Sequence, residues 1–239
     1  MKFKLVDKKA EAKGTKSFFW EPDKRFEFLP GQYLYYTLPK LEFPDPRGAT
    51  RHFTISASPT ESPPVRLTTR IREESGYKKT LDSLPIGSFV EAEGPDGTFI
   101  LDTGDAGPHI FIAGGIGITP FRSMIKFVLD KNLGYEMHLI YSNSLPEEIA
   151  FREEFDHYAD LIPNFKITST VTKKDEIKTP WVGLTGRIDV NLISKVASSY
   201  QNPTFWVCGP PPMVDAIEKA LSELKISSSQ IRTEKFTGY

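Results

Sequence analysis

The chain has 239 residues, 39% hydrophobic and 26% charged, with 30 Lys and Arg against 31 Asp and Glu. That balance supports a buried core and excludes a wholly disordered chain, and near-neutrality supplies no overall field for nucleic acid or an anionic membrane. The charged opening Met1–Gly14 has no apolar signal region, no apolar run long enough to span a membrane occurs, and the single cysteine, Cys208, excludes an internal disulfide and a four-thiolate zinc or iron–sulfur site within these residues, so the expectation is a cytoplasmic protein with no metal of its own.

From Phe3 to about Leu101, short runs rich in β-branched and aromatic residues are punctuated by Pro and Gly: SFFW, RFEFLPGQYLYYTL, RHFTISA, VRLTTRI, SFVEAEG and GTFIL. Their even spacing predicts an antiparallel sandwich or barrel. Pro39, Pro44, Pro46 and Gly48 mark an exposed connection before Arg51, and a second loop runs from Thr60 to Pro64. After Thr103-Gly104-Asp105-Ala106-Gly107-Pro108 the pattern changes to continuous apolar strands, HIFIA, MHLIYS, FKITSTV, TFWVC and IRTEKF, alternating with amphipathic helices. Phe121, Met124, Ile125, Val128 and Leu129 form one helical stripe, and Val214, Ile217, Leu221 and Leu224 another. The prediction is a parallel, doubly wound sheet, with a domain of residues 1–104 followed by one of residues 105–239.

Four stretches carry candidate chemistry. Ala113-Gly114-Gly115-Ile116-Gly117-Ile118-Thr119-Pro120 leaves an apolar strand and opens a helix. Thr119 suits the N-cap, Pro120 suits the first helical position, and Gly115 and Gly117 let the backbone approach a bound group, where amides and the helix dipole favour a pyrophosphate. A tight turn without ligand has the same local pattern. Cys208-Gly209-Pro210-Pro211-Pro212-Met213 likewise follows a buried strand and precedes a helix; taken alone, Cys208 reads as a small buried hydrophobe. On Arg51–Ser58 the alternation puts Arg51, Phe53 and Ile55 on one face and His52 and Thr54 on the other, with a guanidinium suited to phosphate; an ordinary solvated sheet face alternates in the same way. Arg70, Arg72, Lys78 and Lys79 make a basic patch around Gly76, which is also what a solvated charged face looks like.

Taken together, Gly31-Gln32-Tyr33, the run Arg51-His52-Phe53-Thr54-Ile55-Ser56, Gly94-Pro95-Asp96-Gly97-Thr98-Phe99, GGIGITP, CGPPPM and the ending Glu234–Tyr239 resemble the ferredoxin–NADP⁺ reductase superfamily of flavoproteins, in order and over nearly the whole chain. The resemblance implies a six-stranded antiparallel Greek-key β-barrel that binds flavin, with one covering helix, then an α/β doubly wound NAD(P)-binding domain, the flavin ring lying in the cleft between them. It implies that Arg51 contacts the flavin phosphate, that Phe53 packs along the flavin and that Thr54 hydrogen-bonds near its N5. Thr69, Arg70 and Ile71 are implied on the next flavin-contacting strand, and Gly76, Tyr77, Lys78 and Lys79 as donors of backbone N–H groups to the pyrophosphate. Gly115, Gly117 and Thr119 are implied to hold the nicotinamide cofactor and Cys208, Gly209 and Pro210 to border the nicotinamide, with Thr54 and Cys208 as positioning groups for the chemistry. Phe236 and Tyr239 are rival candidates to stack on the flavin.

The sequence departs from the family pattern in having Phe53 where relatives usually carry Tyr, and Lys78 where many carry Ser or Thr. The cofactors implied are FAD, rather than FMN, with NADH or NADPH as substrate. Tyr141-Ser142-Asn143-Ser144 offers hydroxyls rather than Arg or Lys to a 2′-phosphate, which favours NADH, while Arg152 and Arg187 would favour NADPH. The implied activity is an NAD(P)H-dependent flavoprotein reductase passing electrons to a separate acceptor, a ferredoxin-like or haem protein, and Lys8, Lys9, Lys13 and Lys16 form either a docking patch or a merely solubilising surface. Two other readings stay open: a flavin-carrying electron-transfer subunit active only within a larger complex, and a nucleotide-binding module without flavin.

Overall fold

The charged opening is itself a strand: in a computed structural model that describes residues 1–61 and 63–237, β1 runs Lys2–Ala12, with Phe3 and Leu5 buried and Lys2 and Lys4 turned outward. This strand has no match among the apolar runs read from the sequence, because beyond Leu5 its side chains are mostly charged or small. It is followed by β2 (Thr15–Pro22), β3 (Tyr33–Thr37), β4 (Thr50–Thr54), β5 (Val65–Arg70), the helix α1 (Gly76–Ser83) and β6 (Phe89–Asp96). The six strands pair in the order β4-β3-β6-β1-β2-β5, every pairing antiparallel. A bridge between Ile55 and Leu67 joins the ends of the outer strands β4 and β5, closing the sheet toward a barrel. The core is aromatic: Phe3, Phe18, Trp20, Tyr36 and Tyr77 have no exposed surface, and truncating any of these rings to Ala costs about 3–5 kcal/mol. The GTFIL run forms no strand; Phe99 and Leu101 are nonetheless buried in irregular backbone, where the Phe99 carbonyl lies so close to Gly31 that a Cβ there would meet it at 2.1 Å.

The second sheet is parallel throughout. It contains β7 (His109–Gly114), then the 3₁₀ turn Gly115–Ile118 and α2 (Thr119–Asp130); β8 (Met137–Asn143) and α3 (Arg152–Leu161); β9 (Phe165–Val171); the two-residue β10 (Leu184–Thr185) and α4 (Val190–Ala197); β11 (Thr204–Gly209) and α5 (Pro211–Glu223); and β12 (Ile231–Lys235). The order β10-β9-β8-β7-β11-β12 reverses direction at β7, which is flanked by β8 and β11. That reversal is the switch point of a doubly wound sheet, and it brings the Gly-rich turn after β7 beside the turn after β11. Ile110, Ile112, Ile140, Phe205 and Val207 from the strands pack with Ile193 from α4 and Val214, Ile217 and Leu221 from α5. The chain divides into two units, Met1–Leu101 with Arg122–Asp130, and Asp102–Phe121 with Lys131–Tyr239.

Candidate functional site

In the first unit, β4 is held from both ends. Beyond its last residue, Ser56 donates to the Arg66 carbonyl and shares a 2.8 Å hydrogen bond with Thr68, while Arg122 reaches the Ser56 carbonyl at 2.6 Å and grips Glu61 with both terminal nitrogens at 2.8 and 2.9 Å. Burial pushes the Glu61 carboxyl up, but the Arg122 hydrogen bonds and charge outweigh it and hold the group below the usual carboxylate range. These contacts fix Thr54, which is buried and whose hydroxyl has no partner among the described residues. Arg51 and Phe53 share the half-buried face of β4 and His52 the exposed one, but Thr54, on the His52 side of the alternation, is buried. The Phe53 ring packs on Tyr36 and Tyr77, at 6.1 and 5.9 Å between centroids.

Arg51 meets the β3–β4 connection at its other end. Its Nη1 donates to the carbonyls of Arg47, Gly48 and Thr50, its Nη2 makes a 2.6 Å ion pair with Asp45, and its guanidinium lies 5.3 Å from the Tyr77 ring centroid. The connection read from the sequence as simply exposed is therefore wound around this arginine, and the Asp45 side chain is only 4% exposed. Burial would raise the Asp45 carboxyl, yet the Tyr77 and Arg47 amides, the Arg51 charge and the Ser75 hydroxyl together hold it below its ordinary range.

The N-terminus of α1 departs from what the resemblance implies. Tyr77 N–H donates to Asp45 at 2.9 Å, Lys78 N–H to the Ser75 hydroxyl at 3.2 Å and Lys79 N–H to the Ser75 carbonyl at 3.0 Å. Three of the four amides expected to face a pyrophosphate, those of Tyr77, Lys78 and Lys79, already have acceptors, because Ser75 is the N-cap and the Asp45 loop folds over the first turn. Gly76 is glycine for the same reason: a Cβ there would meet the Pro44 and Phe43 carbonyls at 2.1 and 2.6 Å. What remains is charge. Burial, then Arg72, Arg47, Arg51 and Arg70, lower the Lys78 ammonium to about 8. Arg51, paired with Asp45, and the buried Lys78, on which the four arginines act, fit with the partnerless Thr54 hydroxyl a dianionic diphosphate and a polar ring edge, which is what FAD would present. Thr69 is buried on β5, and Arg70 and Ile71 are half-buried at its end. Lys8 and Lys16 do not stand free as a docking patch; they bind the Asp82 carbonyl and carboxylate of α1 at 2.6 and 2.7 Å.

In the second unit the two turns at the switch point interlock. A Cβ on Gly117 would meet the Cys208 carbonyl at 2.4 Å, and one on Gly114 would meet Met213 Sδ at 2.2 Å, with Pro210 Cδ at 3.1 Å. Gly117 is thus committed to packing, whereas Gly115, at φ +52°, faces open space and is the glycine past which a ligand can approach. Thr119 is not the N-cap expected of it. The chain is already wound as a 3₁₀ turn from Gly115, so Thr119 has helical dihedrals and its hydroxyl donates back to the Ile116 carbonyl at 3.1 Å. No side chain caps this turn, and residues 109–121 contain no Lys or Arg, so what this segment itself offers an anion is amides and the helix dipole.

Cys208 closes β11, fully buried, its Sγ 4.0 Å from Glu234 Oε2 on β12. Burial and then the Glu234 charge push the thiol well above its usual range, and burial pushes the Glu234 carboxyl up to about 7. Gly209 accepts the Phe236 N–H at 3.0 Å, tying the end of the described chain to the CGPPPM turn. Tyr239 lies outside the described residues. Asp45 and Glu234 were not singled out from the sequence. The available signal for Asp45 was an acid six positions before Arg51 in a Pro-rich stretch; for Glu234, an acid inside an otherwise strand-like run.

Comparison with known proteins agrees with this architecture. The family model "Oxidoreductase FAD-binding domain" matches residues 2–100, and "Oxidoreductase NAD-binding domain" matches residues 111–219. Among curated proteins, the glycine betaine monooxygenase reductase subunit of Chromohalobacter salexigens is 28% identical over 212 residues, covering 88% of this chain and 56% of the relative. The chain therefore spans little more than half the length of that relative. Among solved structures, the Amycolatopsis cytochrome P450 reductase GcoB superposes with TM-score 0.84 at 24% identity, covering 100% of this chain and 70% of the other. A ferredoxin NADP⁺ reductase from Neisseria gonorrhoeae with bound FAD and NADP superposes with TM-score 0.79 at 17% identity over 98% of both chains. With both domain families matched in succession on the fold they share, the chain belongs to the ferredoxin–NADP⁺ reductase superfamily of FAD- and NAD(P)-binding oxidoreductases.

Proposed function

We propose that the chain is an NAD(P)H-dependent flavoprotein reductase that takes reducing equivalents from NADH or NADPH through FAD and delivers them to a separate acceptor protein, ferredoxin-like or haem-containing, in the cytoplasm. The observation that carries this reading is the succession of an FAD-binding and an NAD-binding oxidoreductase domain over residues 2–100 and 111–219, the first presenting Arg51, the buried Lys78 and the Thr54 hydroxyl and the second the open Gly115 turn. The likeness to an oxygenase reductase subunit supports delivery to a partner.

When bound, the flavin supplies hydride acceptance and the onward release of electrons. The chain's own residues bind and align. Arg51 and its loop hold the phosphate end, Thr54 offers its hydroxyl to the ring edge, and Gly115 admits the nicotinamide cofactor's phosphates to the amides after β7. Cys208 stays a neutral thiol and acts as a positioning group rather than a nucleophile. Phe236 is proposed as the aromatic against the flavin, being fixed to Gly209 by its backbone.

A visible spectrum recorded before and after anaerobic addition of NADH, then NADPH, tests the proposal. A yellow protein bleached by one of the two is expected, and a colourless protein that takes up no supplied flavin would refute it. Turnover of an artificial acceptor by the purified chain distinguishes a self-sufficient reductase from a subunit that works only within a complex.

A further inference from the structure

Resting on the flavoprotein reading above, we propose that Arg122, on α2, is a positioning residue for flavin reduction: by holding the chain where it leaves β4, it sets where the Thr54 hydroxyl meets the flavin ring edge. Thr54 is the last residue of β4. Past it the chain is held by single bonds, the Ile55 amide donating to the Gln32 carbonyl at 2.9 Å and the Ser56 amide to the Arg66 carbonyl at 2.8 Å. Ser56 has no exposed surface. A buried carbonyl there needs a donor, and Arg122 Nη1 supplies one at 2.6 Å. Ser123, the next residue of α2, gives its hydroxyl to the Ala57 carbonyl at 2.7 Å, so successive carbonyls after β4 are taken by successive residues of one helix.

A neutral donor would satisfy the Ser56 carbonyl without burying a charge. The Arg122 side chain is only 4% exposed, and burying a guanidinium is unfavourable unless a carboxylate and good geometry accompany it. Glu61 provides both: its two oxygens accept Nη1 and Nη2 at 2.8 and 2.9 Å, and Oε2 also takes the Ser58 amide at 2.5 Å. A planar fork engaged by the carboxylate and the carbonyl together has one orientation that satisfies all three bonds, so the backbone two residues beyond Thr54 is fixed rather than merely satisfied. Thr60 Oγ1 donates to Asp130 at 2.5 Å, fastening the far part of the same loop to the last residue of α2. β4 is thus flanked by two arginine–carboxylate pairs, Arg51 with Asp45 and Arg122 with Glu61. The first stands at the phosphate end assigned above, the second next to the hydroxyl that meets the ring. A hydroxyl on a strand end free to shift would be misplaced in part of the population, and a displacement of about 1 Å costs up to about 100-fold in rate.

The experiment uses the full chain loaded with FAD and compares wild type, Arg122→Met, Thr54→Val and the double variant, with anaerobic flavin reduction by saturating NADH or NADPH followed by stopped-flow absorbance. Arg122→Met is expected to slow reduction about 10- to 100-fold, to keep FAD affinity within about threefold of wild type, and to give a visible flavin spectrum matching that of Thr54→Val. In the Thr54→Val background the same substitution should slow reduction by no more than about twofold further, because the group through which it acts is gone. Arg122→Lys, which keeps the charge but cannot fork, should fall between wild type and Arg122→Met. In the flavin-free chain, Arg122→Met should speed amide hydrogen exchange at Ile55 and Ser56 about 10-fold and leave that of Tyr77, beside the other pair, unchanged. Should Arg122→Met not fold, Arg122→Lys carries the same cycle and the same exchange measurement. Reduction at the wild-type rate, an equal fold-slowing with and without the Thr54 hydroxyl, or unchanged exchange at Ile55 and Ser56 would overturn the proposal. A wild-type chain that takes up no FAD would instead overturn the flavoprotein reading, and the proposal with it.

Discussion

The chain contains two helix N-termini to which the family likeness assigns phosphate groups, and they are built on opposite principles. At α1 most of the dipole end is closed by Ser75 and Asp45, and the cationic side chains of Arg51 and Lys78 stand in the same region. After β7 the turn is uncapped, free of Lys and Arg, and opened by a glycine with positive φ. A helix end alone therefore says little about how an anion is received: where side chains satisfy the amides, charge must do the work, and where no charge is present, bare backbone must remain accessible. The first arrangement suits a cofactor that is retained, because long-lived binding tolerates a deep, desolvated cluster; the second suits a substrate that exchanges on every turnover.

The strongest way to break this contrast is Arg51→Ala. It removes the post around which Asp45–Thr50 is wound, and FAD retention is expected to fall by about 100-fold or more, while NAD(P)H binding changes little. A mutant that stays fully loaded after dialysis would show that the cationic cluster is not the flavin anchor. Next come the two glycines of the second turn, which should separate cleanly. Gly117→Ala places a methyl group 2.4 Å from the Cys208 carbonyl and should destabilise the second unit by about 1–3 kcal/mol, read by denaturant midpoint. Gly115→Val should cost about 1–2 kcal/mol of backbone strain and in addition weaken NADH at least tenfold or so by obstructing close approach. Loss of nicotinamide affinity from Gly117→Ala alone would reverse the roles assigned to them.

A pH measurement sharpens the picture of the second unit. The Glu234 carboxyl titrates at about 7 in the fold, above its ordinary value of 4.5. The native chain therefore holds more protons than the unfolded chain between those pH values, so Glu234 favours folding below about 4.5 and its contribution is lost as pH rises through about 7. Glu234→Gln should remove this trend and raise stability at pH 8 by on the order of 2 kcal/mol, seen as a higher thermal midpoint there and little change at pH 4. The smallest expected effect is that of Cys208→Ala, which should slow nicotinamide-dependent reduction by a few-fold, roughly, and leave flavin content intact; complete loss of flavin would contradict the positioning role.

Much of this organisation was legible in the residues, for identifiable reasons. The parallel sheet announced itself because strands buried on both faces, such as Ile110–Ala113 and Phe205–Cys208, read as uninterrupted apolar runs. β1 did not, since it shows Phe3 and Leu5 to the core and then continues as Asp7, Lys8, Lys9 and Glu11, whose partners are in other segments: Lys8 reaches Asp82, and Glu11 pairs with Arg66. GTFIL misled in the other direction, being apolar because it is buried and not because it is paired. At the candidate site, Arg51 and the glycines stand out in the sequence because each of those residue types has one dominant use. Asp45 was hidden because its function depends on a loop closing over a helix 30 residues later, a contact that no local pattern encodes. Thr119 was misread because a cap was expected where the winding had already begun four residues earlier.

The solitary cysteine gives the molecule an internal clock. With its sulfur sealed at the end of β11 and held by burial as the unreactive thiol, Cys208 can meet an alkylating reagent only when the strand transiently lifts away from its neighbours. The rate of labelling under native conditions then counts those opening events directly, and comparing it with and without NADH reads out how firmly the nicotinamide-binding half is held shut, without any added probe.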